Sequence, residues 1–389
     1  MTVSRLSALF LVMLMLAGCG GRAVLGLEPE NVIKSSAAVP APLVNDKTGP
    51  KAIIPVFVAT SRERSGDLSL PYTSKRSPSL NFARVDIGIP PNHKNGEVEK
   101  SNSKPNPARH FAATTFQPLD NGQIFIDRIN AELARRPAEK REIFIFVHGY
   151  NNNFADSVFR QAQIAYDYAL PAVAVHYSWP SAAALGLYVY DRDSATYGRE
   201  GLAELLQLLT KAKASRVLLV GHSMGSFVVM EALTKLAETG HHDVLRRLSG
   251  VMLAAPDIDV DVFQSQVADI GKLPRPFVVL VSRADRALNV SGRITGGHAR
   301  VGDGSSIPML QKLGILVLDA SSLDGGSHGV FASSPTLMAM SRSGQLSRRI
   351  LQGDETPTGQ AILADGTSAI TGAASLVIYL PARLLGALR

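Results

Sequence analysis

Short apolar segments alternate with amphipathic segments through the middle of the chain. Six runs of strand length are mostly apolar: EIFIFVHGY (142–150), AVAVHYSW (172–179), VLLVGHS (217–223), LSGVMLAAPD (248–257), PFVVLVSRAD (276–285) and LGILVLDAS (313–321). The segments 153–169, 199–212 and 227–237 carry apolar residues at helical spacing. Apolar strands that alternate with helices predict a mostly parallel sheet with helices on both faces. The predicted class is α/β, and right-handed crossovers make the sheet doubly wound.

The two ends of the chain have a different character. Residues 20–50 contain four prolines and no clear period, which is typical of a tether. A flexible tether of about 30 residues has a reach of roughly 30 Å. The uncharged stretch 369–382 is too short to cross a bilayer upright, and we expect it to dock on the core. These patterns divide the chain into a signal peptide (1–18), a tether (19–50), an α/β domain (51–350) and a C-terminal tail with an apolar segment (351–389).

The first twenty residues, MTVSRLSALFLVMLMLAGCG, have the outline of a secretory signal. The small residues before Cys19, the single cysteine of the chain, resemble a bacterial lipobox. That resemblance implies cleavage before Cys19, lipidation of Cys19 and attachment to a membrane of the cell envelope. The residue after it is Gly20, which by resemblance to enteric sorting rules favours the outer membrane, facing the periplasm. The alternatives are an ordinary cleaved signal and, less well supported by an 11-residue apolar run, a spanning anchor.

Charge and motif content exclude several classes of function. The net charge is +7, but Lys and Arg are scattered and no basic run is interleaved with aromatic residues. We therefore expect no nucleic-acid partner. The chain has no H-E-x-x-H motif, no C-x-x-C pair and no Walker loop. We therefore expect neither a metal nor a cofactor.

The segment VLLVGHSMGSFVVMEAL (217–233) carries the candidate nucleophile. Gly221, Ser223 and Gly225 form a G-x-S-x-G pattern between a predicted strand and a predicted helix. A sharp strand-to-helix turn exposes the serine hydroxyl, and glycines avoid side-chain clashes in such a turn. The N-terminus of the following helix stabilises a developing oxyanion with free N–H groups. The pattern therefore predicts that Ser223 is a catalytic nucleophile.

The second oxyanion donor is expected in the loop HGYNNNF (148–154), which follows an earlier strand. The predicted donors are the backbone N–H groups of Met224 and Tyr150, with Asn151 as the alternate. For His148 we favour a structural role, because the base of such a site normally follows the serine in the chain.

The histidine base is sought downstream of Ser223. His328 lies in a loop directly after the last predicted strand, where it can reach the top of the sheet. His298 is the alternative, whereas His241 and His242 follow the nucleophile helix too closely.

The acid orients the imidazole and stabilises its positive form. Asp285 ends the penultimate strand, which is the commoner position in such a site. Asp257 is the alternative acid. Whichever of the two is not the acid is expected to cap a helix or close a turn.

These motifs together resemble the α/β-hydrolase superfamily and, more narrowly, a bacterial group of α/β-hydrolases without an assigned function. The resemblance covers about residues 53–335 and rests on HGYNNNF, YSWPS, GHSMG, LAAPDID, SRADRAL and HGVF. It implies an α/β-hydrolase fold over residues 51–350, with an eight-stranded, mostly parallel sheet and no cofactor. It also implies acyl-enzyme hydrolysis with Ser223, Asp285 and His328 as the triad.

The sequence therefore predicts a lipid-anchored serine hydrolase, esterase- or lipase-like, that cleaves a carboxylic ester. The segments 180–200 and 286–312 follow strands and are expected to form the lid and the acyl pocket. Three alternatives stay open: an amide or thioester substrate, a non-catalytic binding or scaffold protein of the envelope, and a lipase that docks through its C-terminal segment.

Overall fold

The computed structural model describes residues 21–38, 49–344, 360–364 and 375–381. The eleven strands of the described part are β1 (Ala52–Arg64), β2 (Tyr72–Ile89), β3 (Ala112–Leu119), β4 (Glu142–Val147), β5 (Val173–Ser178), β6 (Arg216–His222), β7 (Gly250–Ala254), β8 (Phe277–Val281), β9 (Leu316–Asp319), β10 (Gln360–Ala364) and β11 (Ser375–Tyr379). Its ten α-helices are α1 (Gly122–Leu133), α2 (Phe154–Asp167), α3 (Tyr188–Leu209), α4 (Met224–Glu238), α5 (His242–Arg247), α6 (Val260–Ile270), α7 (Arg286–Ile294), α8 (Ile307–Lys312), α9 (Val330–Ser333) and α10 (Pro335–Arg342). Within the four ranges, no helix combines the length and the apolar composition needed to cross a bilayer.

One mixed sheet organises the fold, with the strand order β10-β11-β9-β8-β7-β6-β4-β5-β1-β2-β3. The pairings from β9 through to β1 are parallel, and those at both ends of the sheet are antiparallel. The fold class predicted from the sequence, an α/β-hydrolase fold with a mostly parallel sheet, is confirmed. The described sheet has eleven strands rather than the eight that the resemblance implied, because antiparallel strands extend both of its edges.

Apolar side chains fill both faces of this sheet. Along β6, Leu219 belongs to the cluster beneath α3 and α4, whereas Val220 belongs to a cluster on the opposite face. Along β1, Phe57 belongs to the same cluster as Leu219, whereas Val58 belongs to a cluster on the opposite face. Successive side chains of a strand point to opposite faces, so a strand that is buried on both faces must be apolar throughout. This explains why the strand segments of the sequence are runs and not alternations.

The segment 21–27, called the N-terminal strap below, packs against the domain. The side chains of Ala23 and Leu25 are completely buried. The N–H of Leu25 donates to the carbonyl of Ser69 at 2.9 Å, and the N–H of Ala113 donates to the carbonyl of Leu25 at 2.8 Å. The side-chain amide of Asn153 donates to the carbonyl of Ala23 at 2.8 Å. Apolar burial and paired backbone groups thus fix the strap to the surface.

The free tether predicted over residues 19–50 is therefore wrong for residues 21–38. Beyond the strap, the N–H of Ile33 donates to the carbonyl of Phe116 at 2.9 Å. The amide of Gln117 donates to the carbonyls of Lys34 and Ala37, both at 2.9 Å. Proline content and the lack of a period concealed this packing, because a segment without regular structure can still be held by hydrogen bonds to its neighbours. Residues 39–48 lie outside the described residues.

The tail assigned to 351–389 also contributes to the fold. Its strand β11 pairs antiparallel with β9, and β10 pairs antiparallel with β11. Leu376, Ile378 and Leu380 are buried against the same cluster as Val330 and Met338. Core docking was the expectation for this apolar segment, and strand addition is the form that it takes. Residues 351–359, 365–374 and 382–389 of the tail lie outside the described residues.

A buried charged cluster fastens the loop after β2 to helix α2. His93 contacts Glu99 through Nδ1 at 2.8 Å and Asp167 through Nε2 at 2.9 Å. Asp167 also accepts hydrogen bonds from the N–H of Gly96 and the side chain of Gln163. Burial acts to lower the pKa of His93, but the hydrogen bonds that its ring donates to the carboxylates of Asp167 and Glu99 outweigh burial and raise it. Burial acts to raise the pKa of Asp167, but the donors around it lower it.

We expect His93→Gln to lower the free energy of unfolding by about 3 kcal/mol, because it leaves buried carboxylates without their cation. A raised histidine pKa gives stability that is complete below about pH 6.5 and is lost as the pH rises through the folded pKa. A lowered aspartate pKa gives stability that is present above about pH 4 and is lost as the pH falls through the folded pKa. The deficit of the variant should therefore be largest between about pH 4 and 6.5.

Urea unfolding of wild type and variant from pH 5 to pH 9 measures this deficit. His242→Gln is the matched control, since His242 is exposed on α5 and should show no such difference. A deficit that stays constant across this range would contradict the assignment of a charged His93.

Candidate active site

The strand β6 turns sharply into helix α4 at Ser223. Its backbone has φ 54° and ψ −124°, a conformation that a residue with a side chain adopts only under strain. An added Cβ on Gly221 would lie 2.8 Å from Cα of Ser226, and one on Gly225 would lie 2.3 Å from the carbonyl oxygen of His148. Contacts this short leave no room for a side chain at either glycine. The spacing of the motif thus follows from backbone packing around the turn.

Asp285 and His328 are joined by a short hydrogen bond. Nδ1 of His328 lies 2.7 Å from Oδ2 of Asp285, and the side chains are 25% and 0% exposed. The other oxygen, Oδ1, accepts from the N–H groups of Ala287 and Leu288 and so caps helix α7. One carboxylate therefore serves both functions that the sequence offered as alternatives, the helix cap and the partner of the imidazole.

The environment of His328 favours its protonated form. Burial acts to lower the pKa of His328, but the hydrogen bond and the charge of Asp285 outweigh burial and raise it. The neighbouring His222 is the opposite case, because burial and the proximity of His328 lower its pKa to about 3. Neutral His222 donates from Nε2 to the carbonyl of His328 at 3.0 Å. It therefore fixes the loop that presents the imidazole, a role that the sequence did not reveal.

Ser223 and His328 line one cavity of about 310 Å³. The hydroxyl of Ser223 and the ring of His328 are not hydrogen bonded to each other in this structure, where the ring is held by Asp285. Hydrogen bonds of this kind are commonly long in free enzymes and tighten in the substrate complex. The other lining residues include Leu185 and Tyr188 from the segment 180–200, and Ala287, Leu288, Val290, Ser291 and Ile294 from the segment 286–312. Both segments expected to form the lid or the acyl pocket therefore contribute to the cavity wall.

The backbone N–H groups of the two predicted oxyanion donors are both without an acceptor. Among the residues that the structure describes, neither the N–H of Tyr150 nor that of Met224 donates to an acceptor. Met224 is the first residue of α4, and Tyr150 lines the cavity. The alternate, Asn151, is engaged, since its N–H lies 3.3 Å from Oδ2 of Asp191. The geometry therefore leaves Met224 and Tyr150 as the available pair.

The alternative acid and the alternative base have other contacts. Asp257 accepts from the hydroxyls of Tyr188 at 2.9 Å and Ser291 at 2.6 Å, and it lies 3.4 Å from Nε of Arg300. It lines the cavity but forms no hydrogen bond or ion pair with His328.

His298 is 66% exposed, lies 3.8 Å from Asp259 and is not among the residues that line the cavity. Of the alternatives, the structure therefore brings Asp285 and His328 together.

His148, for which a structural role was expected, is buried among aromatic neighbours. His148 stacks on Trp179 with ring centroids 4.9 Å apart, and the indole N–H donates to the carbonyl of His148 at 2.7 Å. Burial and the charge of Arg62 lower the pKa of His148 well below its usual value, so the ring is neutral. Tyr177 is also completely buried. These side chains tie the loop after β4 to the end of β5.

A buried arginine supports the same loop. The guanidinium of Arg62 donates to the hydroxyl of Ser178 at 2.9 Å and to the carbonyls of Ser181 at 3.0 Å and Asn152 at 2.9 Å. Burial lowers its pKa to about 10, with the charge of Asp191 acting in the opposite direction. The guanidinium thus joins β1, the end of β5 and the loop that carries Tyr150.

Asp191, from the first turn of α3, holds the other side of that loop. Besides the N–H of Asn151, it accepts from the hydroxyl of Ser181 at 2.5 Å and the N–H of Ala182 at 2.6 Å. The roles of Arg62 and Asp191 were not predicted from the sequence. In the sequence, a charged residue near a strand end or in a helix turn cannot be distinguished from an exposed one. The serines of YSWPS were the single local indication of a polar network at this position.

Comparisons with known proteins agree with this fold. Residues 126–346 match the model of the family described as alpha/beta hydrolase of unknown function (DUF900). None of the curated proteins matches the chain. Three similar solved structures, two from fungi and one from a bacterium, are at most 12% identical to this chain and have TM-scores of 0.35 or less.

Aspergillus fumigatus lipase B is 12% identical over 52% of this chain and 51% of that chain, with a TM-score of 0.35. This chain thus spans about half the length of that lipase. Carboxyl esterase 2 of Tuber melanosporum is 10% identical over 69% and 81% of the two chains, with a TM-score of 0.35. Est1E of Butyrivibrio proteoclasticus is 10% identical over 69% and 96%, with a TM-score of 0.32.

We expect the imidazole of His328 to titrate above its ordinary value and Asp285→Asn to lower that pKa clearly. Asparagine still caps α7 but brings no negative charge to the ring. NMR titration of the histidine ring protons measures the shift, and His328→Gln identifies the resonance.

Asp257→Asn is the matched control, because Asp257 acts on His328 through its charge and not through a hydrogen bond. An equal fall of the His328 pKa in both variants would show that the two carboxylates act alike on the imidazole.

Proposed function

The chain belongs to the family of alpha/beta hydrolases of unknown function, and on that premise we propose that it is a serine hydrolase that cleaves carboxylic esters through an acyl-enzyme. The observation that carries the proposal is the arrangement at the cavity. A serine on a strained turn, a histidine bound to a buried carboxylate and two free N–H groups lie at one edge of the sheet.

In this mechanism the hydroxyl of Ser223 attacks the ester carbonyl while Nε2 of His328 accepts its proton. Asp285 keeps the imidazole oriented through Nδ1 and stabilises its positive form. The N–H groups of Met224 and Tyr150 bind the oxyanion of the tetrahedral intermediate. The imidazolium then returns the proton to the departing alcohol, which leaves the acyl group on Ser223. Water enters by the same steps and releases the carboxylic acid.

The strain at Ser223 supports catalysis over a scaffold role. A positive φ at a residue with a side chain costs of order 1–3 kcal/mol, and such strain is concentrated at functional sites. A binding protein would gain stability from a relaxed turn. The mainly apolar wall, with Leu185, Leu288 and Ile294, favours a substrate with an acyl chain over a polar amide.

We further propose that the enzyme is held in the cell envelope by a lipid on Cys19, on the outer membrane and facing the periplasm. The support is the lipobox-like sequence before Cys19 and the Gly20 that follows it. Cys19 itself lies outside the described residues.

We expect a fluorophosphonate probe to label the wild-type protein at Ser223 and to leave Ser223→Ala unlabelled. Hydrolysis of p-nitrophenyl butyrate should fall by about 10⁴-fold or more in this variant, because the nucleophile is removed. Ser226→Ala is the control, since the hydroxyl of Ser226 donates within the turn to Gly221 and should not react.

Absence of labelling in the wild type would favour the scaffold alternative. Labelling of Ser223 together with hydrolysis of a thioester or an amide, but of no ester, would show that the substrate is a thioester or an amide and not an ester.

We expect Asp285→Asn to lower kcat/KM by about 10³–10⁴-fold, because the imidazole loses the carboxylate that orients it. In the wild type, kcat/KM should fall as the pH drops through the raised pKa of His328, since only the neutral ring accepts a proton. In Asp285→Asn this acidic limb should move to lower pH. Profiles of kcat/KM from pH 5 to pH 9 measure both effects. An acidic limb at the same pH in the wild type and in Asp285→Asn would show that Asp285 does not influence the pKa of the catalytic base.

A further inference from the structure

Exposed apolar side chains are concentrated on the two segments that contribute to the cavity wall. Six large hydrophobic residues are exposed in the described part of the chain, and five of them lie on the segments 180–200 and 286–312. Tyr197 is further along α3, and the other four either line the cavity or adjoin Tyr188, which lines it. These four, called the apolar rim, are Leu185, Leu187, Val189 and Ile294. Val189 is the most exposed, at 72%. Single exposed apolar residues are ordinary, but a group of them around an opening marks a contact surface.

The apolar rim continues the wall of the cavity. Leu185 and Ile294 line the cavity while part of each side chain faces outward. The hydroxyl of Tyr150 donates to the carbonyls of Ala184 and Leu185, which fixes the segment that carries three of the rim residues. Leu185 and Ile294 thus connect the exposed apolar rim to the cavity that Ser223 lines.

The N-terminal strap ends beside the same opening. The guanidinium of Arg22 donates to the carbonyl of Asn151 at 2.8 Å and to its side-chain oxygen, and Asn151 lines the cavity. Arg22 also lies 3.6 Å from Asp156 of α2. The strap is thus fixed at its first residues, next to the loop that carries Tyr150.

This position limits where a lipid on Cys19 can be. Cys19 precedes Arg22 by three residues, which span at most about 10 Å when extended. The anchored end of the chain therefore stays close to the mouth of the cavity. A free tether would have let the domain sit tens of ångströms from the bilayer in any orientation.

The charges around the mouth suit a lipid surface. Arg286 and Arg293 are exposed on α7, the helix that carries Ile294. The side chain of Arg22 is 40% exposed. Arginine side chains beside an apolar surface can lie along it while their charged ends reach the headgroup region.

We propose that the apolar rim docks on the bilayer that holds the lipid of Cys19, so that the cavity opens into that bilayer and takes the acyl chain of an ester-linked lipid. The proposal rests on the proposed function for its substrate and on lipidation of Cys19 for its geometry. Hydrolysis then adds water across the acyl–oxygen bond and yields a fatty acid and a lysolipid or free alcohol. The occupant of the rim is the lipid surface, because the strap brings the anchor to this face.

The first test measures which face meets the bilayer, independently of catalysis. The full-length lipoprotein carrying Val189→Cys is labelled with an environment-sensitive fluorophore and reconstituted in phosphatidylethanolamine–phosphatidylglycerol vesicles. A lipid on the sulfur of Cys19 leaves the introduced cysteine as the single free thiol. Val262→Cys is the matched control, since Val262 is 38% exposed on α6 beside a different groove, with Arg199 and Glu231.

Nitroxide-labelled lipid should quench the probe at residue 189 several-fold more than the probe at residue 262. Equal quenching, or no quenching at residue 189, overturns the docking proposal. So does protein that is not retained on the vesicles. Protection of residue 189 that depends on protein concentration in the absence of lipid would identify the rim as a contact between two copies, and this also overturns it.

The second test measures whether docking of the apolar rim promotes hydrolysis of a lipid substrate. We expect the double variant Leu187→Ser, Val189→Ser to hydrolyse phospholipid of its own vesicle at least about tenfold more slowly, because it loses apolar contact with the bilayer. Its hydrolysis of soluble p-nitrophenyl acetate should be unchanged, as should both activities of Val262→Ser. Equal losses on both substrates would contradict docking.

The two proposals fail separately. Selective quenching at residue 189 without hydrolysis of any ester by the wild type would end the esterase proposal and leave the docking surface. Ester hydrolysis by the wild type, with equal quenching at residues 189 and 262, would end the docking proposal and leave the esterase proposal.

Discussion

The close approach of two backbone segments determines the geometry of the site. The start of α4 lies so near the end of β4 that a Cβ on Gly225 would be 2.3 Å from the carbonyl oxygen of His148 and 2.4 Å from that of Val147. This contact places the strained turn of Ser223 directly against the loop that carries Tyr150. The two N–H groups proposed for the oxyanion come from these two segments. Their distance from each other is therefore set by packing that no side chain can adjust.

Buried charges keep that loop in place. Arg62 and Asp191 are almost completely buried and reach it from opposite sides, and each is satisfied by several hydrogen bonds. Moving an ion out of water costs several kcal/mol even after relaxation, so such residues are not an efficient source of stability. They give the loop one defined conformation, which a catalytic site needs more than it needs stability. The active-site loop is thus held by polar groups within an otherwise apolar fold.

Features that depend on local pattern were predicted, and those that depend on distant contacts were not. The parallel strands and the G-x-S-x-G turn follow from side-chain periodicity and turn chemistry, which are readable within about ten residues. Asp257 and Asp285 both follow strands whose ends meet at one edge of the sheet. Which of the two carboxylates lies next to the imidazole of His328 therefore depends on three-dimensional packing and not on the local sequence. The packing of residues 21–38 was missed because its hydrogen-bond partners lie far along the chain.

The double function of Asp285 limits how this protein can change. Its carboxylate starts the helix that forms one wall of the cavity and also orients the proposed proton acceptor. A substitution that shifts the first turn of α7 would disturb the base, whereas one near Ile294, at the far end of the same helix, would reshape the wall alone. Under the proposed function, adaptation to longer, shorter or branched acyl groups should therefore proceed at the distal end of this helix, with the proximal turn kept constant across lineages.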